Sequence, residues 1–307
     1  MPHVYAGSAA YPADTVRPVL TIGNFDGLHL GHRHLVNTLV SKAKEFNTQS
    51  VVYTFDPPPR VVLAPEKHDP RIQTWPDKVR IMGELGVDHV VVERFTRAFA
   101  QHPPSWFLEE VLARRIQPQA IVVGYDFRFG RNREGDINTL RNAFPSLPVT
   151  QLEALQLDGE VISSSRIRSL VSEGHVDKAA TLLGCPHRIQ GTVVHGDARG
   201  RTMGFPTANL QTDADLQPNQ GVYAVRARLE RGKWFNAVAN LGTRPTFDGR
   251  GFLIEVHVLD FSGNLYGAEM EIEFIQRLRG EQTFDGPTAL ASQIQLDILN
   301  ARKVLKT

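Results

Sequence analysis

The residues best suited to chemistry lie in the ten-residue segment GNFDGLHLGH, Gly23–His32. Its glycines let the backbone turn sharply and approach a ligand closely. The segment follows an apolar run and opens a helix-like stretch, where free N–H groups and the helix dipole favour phosphate. His29 and His32 could then hold a triphosphate and stabilise charge on a leaving pyrophosphate. The predicted nucleotide-binding residues of this turn are Gly23, Asn24, Phe25 and Gly31, with His29 and His32 in the catalytic role.

Two other interpretations of this segment remain open. It could be a glycine-rich turn that carries two surface histidines, because short motifs also arise by chance. His29, His32 and His34 could instead bind a metal, although no carboxylate lies beside them at ligand spacing.

A second glycine-rich segment, GDARGRTMGFPTANL, spans Gly196–Leu210. Its glycines, Gly204 among them, predict a loop whose N–H groups could cradle phosphates. Thr207 and Asn209 are neutral oxygen ligands suited to Mg²⁺, and two positions apart on a strand they share one face. The alternative is a glycine-rich turn of a barrel. The chain has no GxxxxGK[ST] segment, so a Walker-type nucleotide loop is excluded.

A third candidate lies in IEVHVLDFSGNLYG, Ile254–Gly267, where Glu255 and His257 alternate with valines. This pattern predicts a strand with one apolar and one polar face. A carboxylate positioned on such a face can accept a proton from a substrate hydroxyl. The alternative is a solvated glutamate on the strand surface.

Short strands and helices alternate in the first half of the chain. The apolar runs predict strands at Pro18–Gly23, Ser50–Phe55, Asp88–Glu93 and Ala120–Gly124, with helices at Gly31–Glu45, Pro76–Leu85 and Pro104–Ile116. This alternation favours a doubly wound α/β domain with a parallel sheet. In such sheets the ligand crevice lies beyond the carboxyl ends of the strands.

The pattern changes after two short helices predicted within Ser163–Leu183. Closely spaced strands follow, and they favour a small antiparallel β-barrel with a C-terminal helix over Pro287–Arg302. The predicted strands are His187–His195, Gly221–Leu229, Trp234–Asn240, Phe252–Asp260 and Ala268–Leu278. We therefore predict two domains, 1–184 and 185–307.

Composition excludes several classes of protein. Hydrophobic residues make up 41% and charged residues 22% of the 307 residues, which is typical of globular domains. There are 20 basic and 20 acidic residues up to Gly184, and 14 and 13 after it, so neither half has the charge of a nucleic-acid-binding body. One cysteine, Cys185, rules out an intrachain disulfide. No signal-like N-terminus and no run of about 18 apolar residues occurs, so we expect a cytoplasmic protein without membrane contact.

The HxGH pattern resembles the HxGH nucleotidyltransferases, which transfer adenylyl groups from ATP without a covalent intermediate. Their second motif is a serine-rich, basic helix start, here VISSSRIR, Val161–Arg168. The resemblance assigns Ser164, Ser165 and Arg168 to ATP. Taken alone, the same segment would be a capped helix with solvated arginines.

A narrower resemblance, to the bacterial bifunctional riboflavin kinase/FAD synthetases, runs from about Val19 to Arg302. It rests on TFDPPPR, GYDFRFGRNREGD, PTAN, the strand motif around Glu255, and RLRGEQTF. It implies that Glu255 is the base that accepts the proton of riboflavin's terminal hydroxyl. The residues that it assigns to the flavin pockets are Pro57, Pro59, Asp126, Phe127, Arg279 and Glu281. For Phe127, core packing is the alternative, and for Arg279 and Glu281 a surface ion pair.

The resemblance therefore implies two activities. The barrel would phosphorylate riboflavin with ATP to give FMN, and the N-terminal domain would adenylylate FMN to give FAD and pyrophosphate. Mg²⁺ would be the cofactor, ATP the co-substrate, and the protein a monomer or weakly self-associating. The alternatives are an enzyme with a single activity and a non-enzymatic module that senses a flavin or a nucleotide.

Overall fold

The structure is a computed structural model that describes residues 1–12, 17–67, 69–196, 204–230, 232–244 and 251–306. The chain divides into two compact units. The first contains Met1–Pro70 and Thr74–Ser163, and the second contains Arg71–Gln73 and Ser164–Thr307. The second unit thus begins 20 residues before the domain boundary predicted at Gly184. No helix of the described residues is long and apolar enough to span a membrane.

The first unit is built on a six-stranded sheet whose neighbouring strands all run parallel. Its strands are β1 (His3–Ala6), β2 (Val19–Ile22), β3 (Ser50–Phe55), β4 (His89–Glu93), β5 (Ala120–Val123) and β6 (Val149–Gln151), in the order β1-β4-β3-β2-β5-β6. The four central strands confirm the predicted ones. The two edge strands were not predicted, because they are short and partly polar.

Helices connect these strands. The three predicted helices, Gly31–Glu45, Pro76–Leu85 and Pro104–Ile116, are present with bounds that agree to within a residue or two. The other three helices of this unit were not predicted. The helices are α1 (Leu30–Glu45), α2 (Pro59–Leu63), α3 (Trp75–Glu84), α4 (Arg97–Ala100), α5 (Pro104–Trp106) and α6 (Ile137–Ala143). A π-helical segment, Phe107–Ile116, continues directly from α5. A two-stranded ribbon of β7 (Gln156–Leu157) and β8 (Glu160–Val161) ends the unit.

Both faces of the sheet are buried. Along β2, Leu20 and Ile22 belong to one apolar cluster and Val19 belongs to the other. Tyr53 and Val52 of β3 divide between the clusters in the same way. Apolar residues at consecutive positions are therefore required, as is usual for parallel sheets covered by helices on both sides.

The second unit begins with two helices and continues into a closed barrel. The helices are α7 (Ser164–Ser172) and α8 (Val176–Leu183). The barrel strands are β9 (His187–Val194), β10 (Ala208–Gln211), β11 (Gly221–Leu229), β12 (Trp234–Arg244), β13 (Gly251–Val258) and β14 (Glu269–Arg279), in the closed order β10-β13-β12-β11-β14-β9. Helix α9 (Pro287–Leu305) follows. The predicted antiparallel barrel with a C-terminal helix is confirmed.

The barrel core is filled by alternate residues of the strands. Ile254 and Val256 of β13 point into it together with Tyr223 and Phe274. The residues between them face outwards, which leaves one face of β13 available for polar groups. Outside the barrel, Ala301 of α9 belongs to a separate apolar cluster with residues of β11 and β12.

Candidate active sites

The first candidate site is the turn between β2 and α1. Phe25 (φ 49°), Gly27 (φ 87°) and Leu28 (φ 40°) have left-handed backbone conformations in this turn. The Phe25 and Leu28 side chains are buried in the apolar core beneath it. For a residue other than glycine this conformation costs roughly 1 kcal/mol or more, and burial of the two side chains offsets that cost. The turn is therefore held rigidly at the start of the helix.

The two histidines of the turn lie against each other. His29 caps α1, and its Nδ1 accepts a hydrogen bond from the His32 backbone N–H at 3.2 Å. The two rings stack with centroids 3.7 Å apart and 14° between their planes. A Cβ added at Gly31 would lie 3.3 Å from the His29 ring, so glycine gives this ring its room. The structure thus brings the His29 and His32 rings together, and their role at a triphosphate stays a prediction.

Burial decides the charge of both imidazoles. It lowers the pKa of His29 to about 4. Burial, and then the positive charges of His29 and Lys78, hold the pKa of His32 well below its usual value. Both rings are therefore neutral at physiological pH, and each can donate a hydrogen bond without carrying a charge. They would act on a triphosphate as neutral donors rather than as cations.

Sequence reasoning missed Lys78 of α3, which lies beneath the same turn. Its side chain is only 5% exposed, and its Nζ donates a hydrogen bond to the Asn24 carbonyl oxygen at 2.9 Å. The signal was present in the sequence, since Lys78 shares the buried face of α3 with Ile81 and Met82. A lysine at a position that helical periodicity assigns to the core is unusual enough to be noted.

Segments that follow the other central strands meet at the same edge of the sheet. Pro57 and Pro59 follow β3, and Asp126 and Phe127 follow β5. Because the strands are parallel, their carboxyl ends share this edge with the Gly23–His32 turn. The structure thus brings the predicted nucleotide turn and the predicted flavin segments to one crevice edge.

A cluster of half-buried rings, also missed from the sequence, lies where β3 and β4 end. This aromatic cluster consists of Phe55, Phe95, Phe99, His102 and Trp106. His102 and Trp106 stack with centroids 3.8 Å apart and 10° between their planes. Its members are scattered over fifty residues, so no single sequence motif could reveal it. A flat apolar ligand would find stacking partners here.

Phe127 and Phe129 stack on each other, with centroids 5.4 Å apart. Phe129 is 8% exposed and belongs to the core, whereas Phe127 is half-buried at its margin. Phe129 is therefore a packing residue, and Phe127 keeps a surface open to a ligand.

Ser164, Ser165 and Arg168 occupy the first turns of α7, where a helix start was predicted. This helix belongs to the second compact unit, while the histidine turn belongs to the first. Their role at the triphosphate stays a prediction.

The second candidate site lies on the outer face of the barrel. Glu255 of β13 is paired with Asn209 of β10 on one side and with Asn240 of β12 on the other. Residues directly opposite in antiparallel strands project from the same face. Since Ile254 and Val256 point into the core, this row of one carboxylate and two amides points away from it.

Asn209 carries a buried acceptor oxygen that could bind a cation. It is 6% exposed, and its Oδ1 is buried without a hydrogen-bond partner among the described residues. A Cβ at Gly196 would lie 2.5 Å from its Cγ, so Gly196 gives the amide its space. An orphaned carbonyl-type oxygen of this kind fits a hard cation such as Mg²⁺.

Thr207 directly precedes β10 and lines a pocket of about 410 Å³ at this end of the barrel. The pocket is also lined by Tyr266, whose ring stacks on His195 with centroids 3.8 Å apart. Gly204 lies beyond Thr207 with its φ at 85° and open space where a Cβ would be. Residues 197–203 of the glycine-rich segment, Gly200 included, lie outside the described residues.

Two predicted flavin residues make contacts within the barrel unit. The Arg279 guanidinium donates to both carboxylate oxygens of Asp297 on α9, at 2.8–3.0 Å, and Asp297 is 3% exposed. This buried ion pair anchors the helix. Glu281 is exposed, and its Oε1 lies 2.9 Å from where a Cβ of Gly242 would be. The geometry favours a structural role for Arg279, and the flavin role of both residues stays a prediction.

His257 and Asp260, the other polar residues of the β13 motif, also make structural contacts. The His257 Nδ1–H donates to the Pro206 carbonyl oxygen at 2.7 Å, and Asp260 accepts from Arg302 of α9 at 2.7 Å. Glu255 is thus the carboxylate of this motif that faces the Asn209 amide.

Comparisons with known proteins agree with this division into two sites. The sequence model of the FAD synthetase family matches residues 12–166, and that of the riboflavin kinase family matches residues 183–305. Two bifunctional riboflavin kinase/FMN adenylyltransferases, from Haemophilus influenzae and Escherichia coli K12, are each 39% identical to the chain. The matches cover 92% and 93% of this chain and 92% of each relative.

A crystal structure from Streptococcus pneumoniae, described as that of a macrolide-efflux protein, has the same fold. It superposes with a TM-score of 0.90 at 31% identity, covering 97% of this chain and 98% of that chain. The efflux description is that of the S. pneumoniae protein. The two proteins share the fold, with a parallel α/β unit and a barrel in one chain.

Two candidate sites in two separate compact units, together with one matching family model for each unit, are those of a nucleotide-dependent transferase with two activities. Both units match one group of such enzymes, in the same order and over nearly the full length of the chain. The chain belongs to the bifunctional riboflavin kinase/FMN adenylyltransferase family, with an N-terminal FAD synthetase domain and a C-terminal riboflavin kinase domain.

Proposed function

We propose that this chain makes FAD from riboflavin in two ATP-dependent steps, one in each unit. The observation that carries the proposal is the cross-strand row on β13, where Glu255 faces Asn209 and its unpartnered Oδ1. A base next to a cation ligand is the arrangement that phosphoryl transfer to a hydroxyl requires.

In the barrel, the terminal hydroxyl oxygen of riboflavin attacks the γ-phosphorus of ATP. The new O–P bond gives FMN, the bond to the β,γ-bridging oxygen breaks, and ADP leaves. Glu255 accepts the hydroxyl proton. Asn209 and Thr207 would hold Mg²⁺, which when bound neutralises charge on the phosphates. The pocket beside Thr207 is of a size to receive the nucleoside part of ATP.

In the α/β unit, a phosphate oxygen of FMN attacks the α-phosphorus of ATP and pyrophosphate leaves. No group of the protein becomes bonded to the substrate. His29 and His32, both neutral, donate hydrogen bonds to phosphate oxygens next to the N-terminus of α1. Ser164, Ser165 and Arg168 would add hydroxyl and guanidinium donors. Catalysis then depends on positioning and on stabilising the charge of the leaving group.

The flavin of this second reaction would bind at the same edge of the sheet. Pro57 and Pro59 form a rigid apolar wall, Asp126 supplies a polar contact, and the aromatic cluster with Phe127 offers rings for the isoalloxazine. We also propose a cytoplasmic enzyme that is monomeric or weakly self-associating and binds neither nucleic acid nor membranes.

Purified protein incubated with riboflavin, ATP and Mg²⁺, followed by chromatography of the flavins over time, tests the proposal. We expect FMN to appear first and then to give way to FAD. FMN that accumulates without FAD would contradict the adenylyl-transfer site. Unchanged riboflavin, with FAD formed when FMN is supplied, would contradict the kinase site. The absence of both products would exclude the enzyme altogether.

A further inference from the structure

Lys78 is a charged side chain in the hydrophobic interior of the first unit. It lies on α3 one turn before Met82, which is completely buried, and its own exposure is 5%. Burying an ammonium group costs several kcal/mol unless the charge is used by neighbouring groups. No residue of α3 was assigned to either proposed reaction, so the position of Lys78 calls for its own explanation.

Lys78 contacts the nucleotide turn as well as the Trp75 ring of its own helix, whose centroid lies 5.7 Å from Nζ. Its Nζ donates to the Asn24 carbonyl oxygen at 2.9 Å, and the Thr54 hydroxyl of β3 donates to the same oxygen at 3.3 Å. Two donors from two different elements therefore fix this carbonyl. Because the peptide bond is planar and trans, the N–H of Phe25 must point to the opposite side of the peptide from Lys78.

Lys78 also brings positive charge to the histidine pair. After burial and the charge of His29, its ammonium is a third cause that lowers the pKa of His32. Two polar atoms nearby, Asn24 Oδ1 and His32 Nδ1, are buried and lack a hydrogen-bond partner among the described residues. The Gly23–His32 turn thus has a positive charge, polar atoms without partners and the N-terminus of α1 close together.

We propose that Lys78 is a positioning residue for adenylyl transfer, which holds the Asn24 carbonyl and adds positive potential for the ATP triphosphate. The inference rests on the proposed function of the first unit. It explains why α3 carries a buried lysine, and it adds a long-range contact, 54 residues apart in sequence, to a turn that is otherwise built from local residues.

Lys78→Met tests the inference, with Lys44→Met on the exposed end of α1 as the matched control. Steady-state FAD formation from FMN and ATP is measured while each substrate is varied in turn. We expect Lys78→Met to lower kcat/KM for ATP by about 100-fold, the size of losing one preorganised donor, while the KM for FMN changes little. Phosphorylation of riboflavin by the same variant should stay within twofold of wild type. Lys78→Arg, which keeps the charge, should recover part of the loss.

Two results with folded Lys78→Met would overturn the inference. One is a kcat/KM for ATP within threefold of wild type. The other is an equal rise of both KM values with a lower melting temperature, which is the result expected of a purely structural lysine. If Lys78→Met does not fold, Thr54→Val removes the second donor with little change of shape, and an unchanged KM for ATP in that variant would also overturn it. A wild-type protein that makes no FAD would refute the proposed function and with it the role of Lys78, whereas either result above, with a wild type that makes FAD, refutes the role of Lys78 alone.

Discussion

Replacing Gly196 with alanine tests the geometry of the barrel site at one atom. A Cβ at this position would lie 2.5 Å from Cγ and 2.7 Å from Oδ1 of Asn209. Ordinary van der Waals contacts begin at 3.4 Å, and the amide Nδ2 would lie nearer to this Cβ than Cγ does, so the amide must move by more than 0.9 Å. Gly196 does not have a left-handed φ, so alanine adds no backbone strain, and the effect is confined to this contact.

A misplacement of about 1 Å at a reacting centre costs on the order of 100-fold in rate. We therefore expect Gly196→Ala to form FMN about 100-fold more slowly than wild type. The Asn209 amide must leave its present position, and the cation ligand would be displaced with it.

The assay measures FMN from riboflavin and ATP over a range of Mg²⁺ concentrations. FAD formation from supplied FMN uses the other unit and is the internal control, which should remain at the wild-type level. Excess Mg²⁺ should recover part of the FMN activity if the metal ligand is weakened rather than removed. FMN formation within threefold of wild type at every Mg²⁺ concentration would refute the assignment of Asn209.

Three other predictions follow from the same structure. His29→Ala should abolish FAD formation and leave FMN formation intact. Glu255→Gln should abolish FMN formation from riboflavin and leave intact the formation of FAD from supplied FMN. Loss of both activities in either folded variant would contradict two independent sites. Arg279→Ala leaves the buried Asp297 carboxylate unpaired and should destabilise the protein by about 3–5 kcal/mol in urea unfolding; a raised KM for riboflavin at unchanged stability would instead support the flavin role. Burial also lowers the pKa of His187 to about 4, as it does that of His29. Between pH 6.5 and about 4 the unfolded chain binds a proton at each of these histidines and the folded chain does not. The free energy of unfolding should therefore fall as the pH falls through this window, by up to about 1.4 kcal/mol per pH unit for each histidine. His187→Gln should reduce the slope of this pH dependence.

The fold could be predicted from the sequence wherever the spacing of apolar residues indicates which side chains are buried. Strand β3 was predicted at its observed bounds, because a strand covered on both faces is apolar at consecutive positions. Strand β1 escaped notice, since three of its four residues are exposed and His3 opens it. Its place in the sheet depends on pairing with β4, which lies more than eighty residues away in the chain.

The site residues were predictable only where they lie close together in one segment of the sequence. His29 and His32 are three residues apart, and their stacking is a consequence of one helix start. The row of Asn209 and Glu255 depends on strand register, and the aromatic cluster depends on the shared edge of the sheet. Lys78 was missed for another reason: its spacing from Ile81 and Met82 indicates the buried face of α3, but a lysine in an amphipathic helix is normally solvated, and the packed structure shows how completely this one is buried.

The helix pair α7–α8 limits how this chain can be divided into fragments. Val176 at the start of α8 is completely buried among barrel residues, and a Cβ at Gly174 would lie 2.9 Å from the Tyr223 hydroxyl. A fragment ending at residue 184 would keep the serine-rich helix start but expose this apolar surface, and should aggregate. A fragment ending at Ser163 should stay in solution but would lack Ser164, Ser165 and Arg168. Recombinant halves of the protein would therefore have to be designed around this helix pair, by replacing the apolar surface of α8 rather than by choosing a cleavage point.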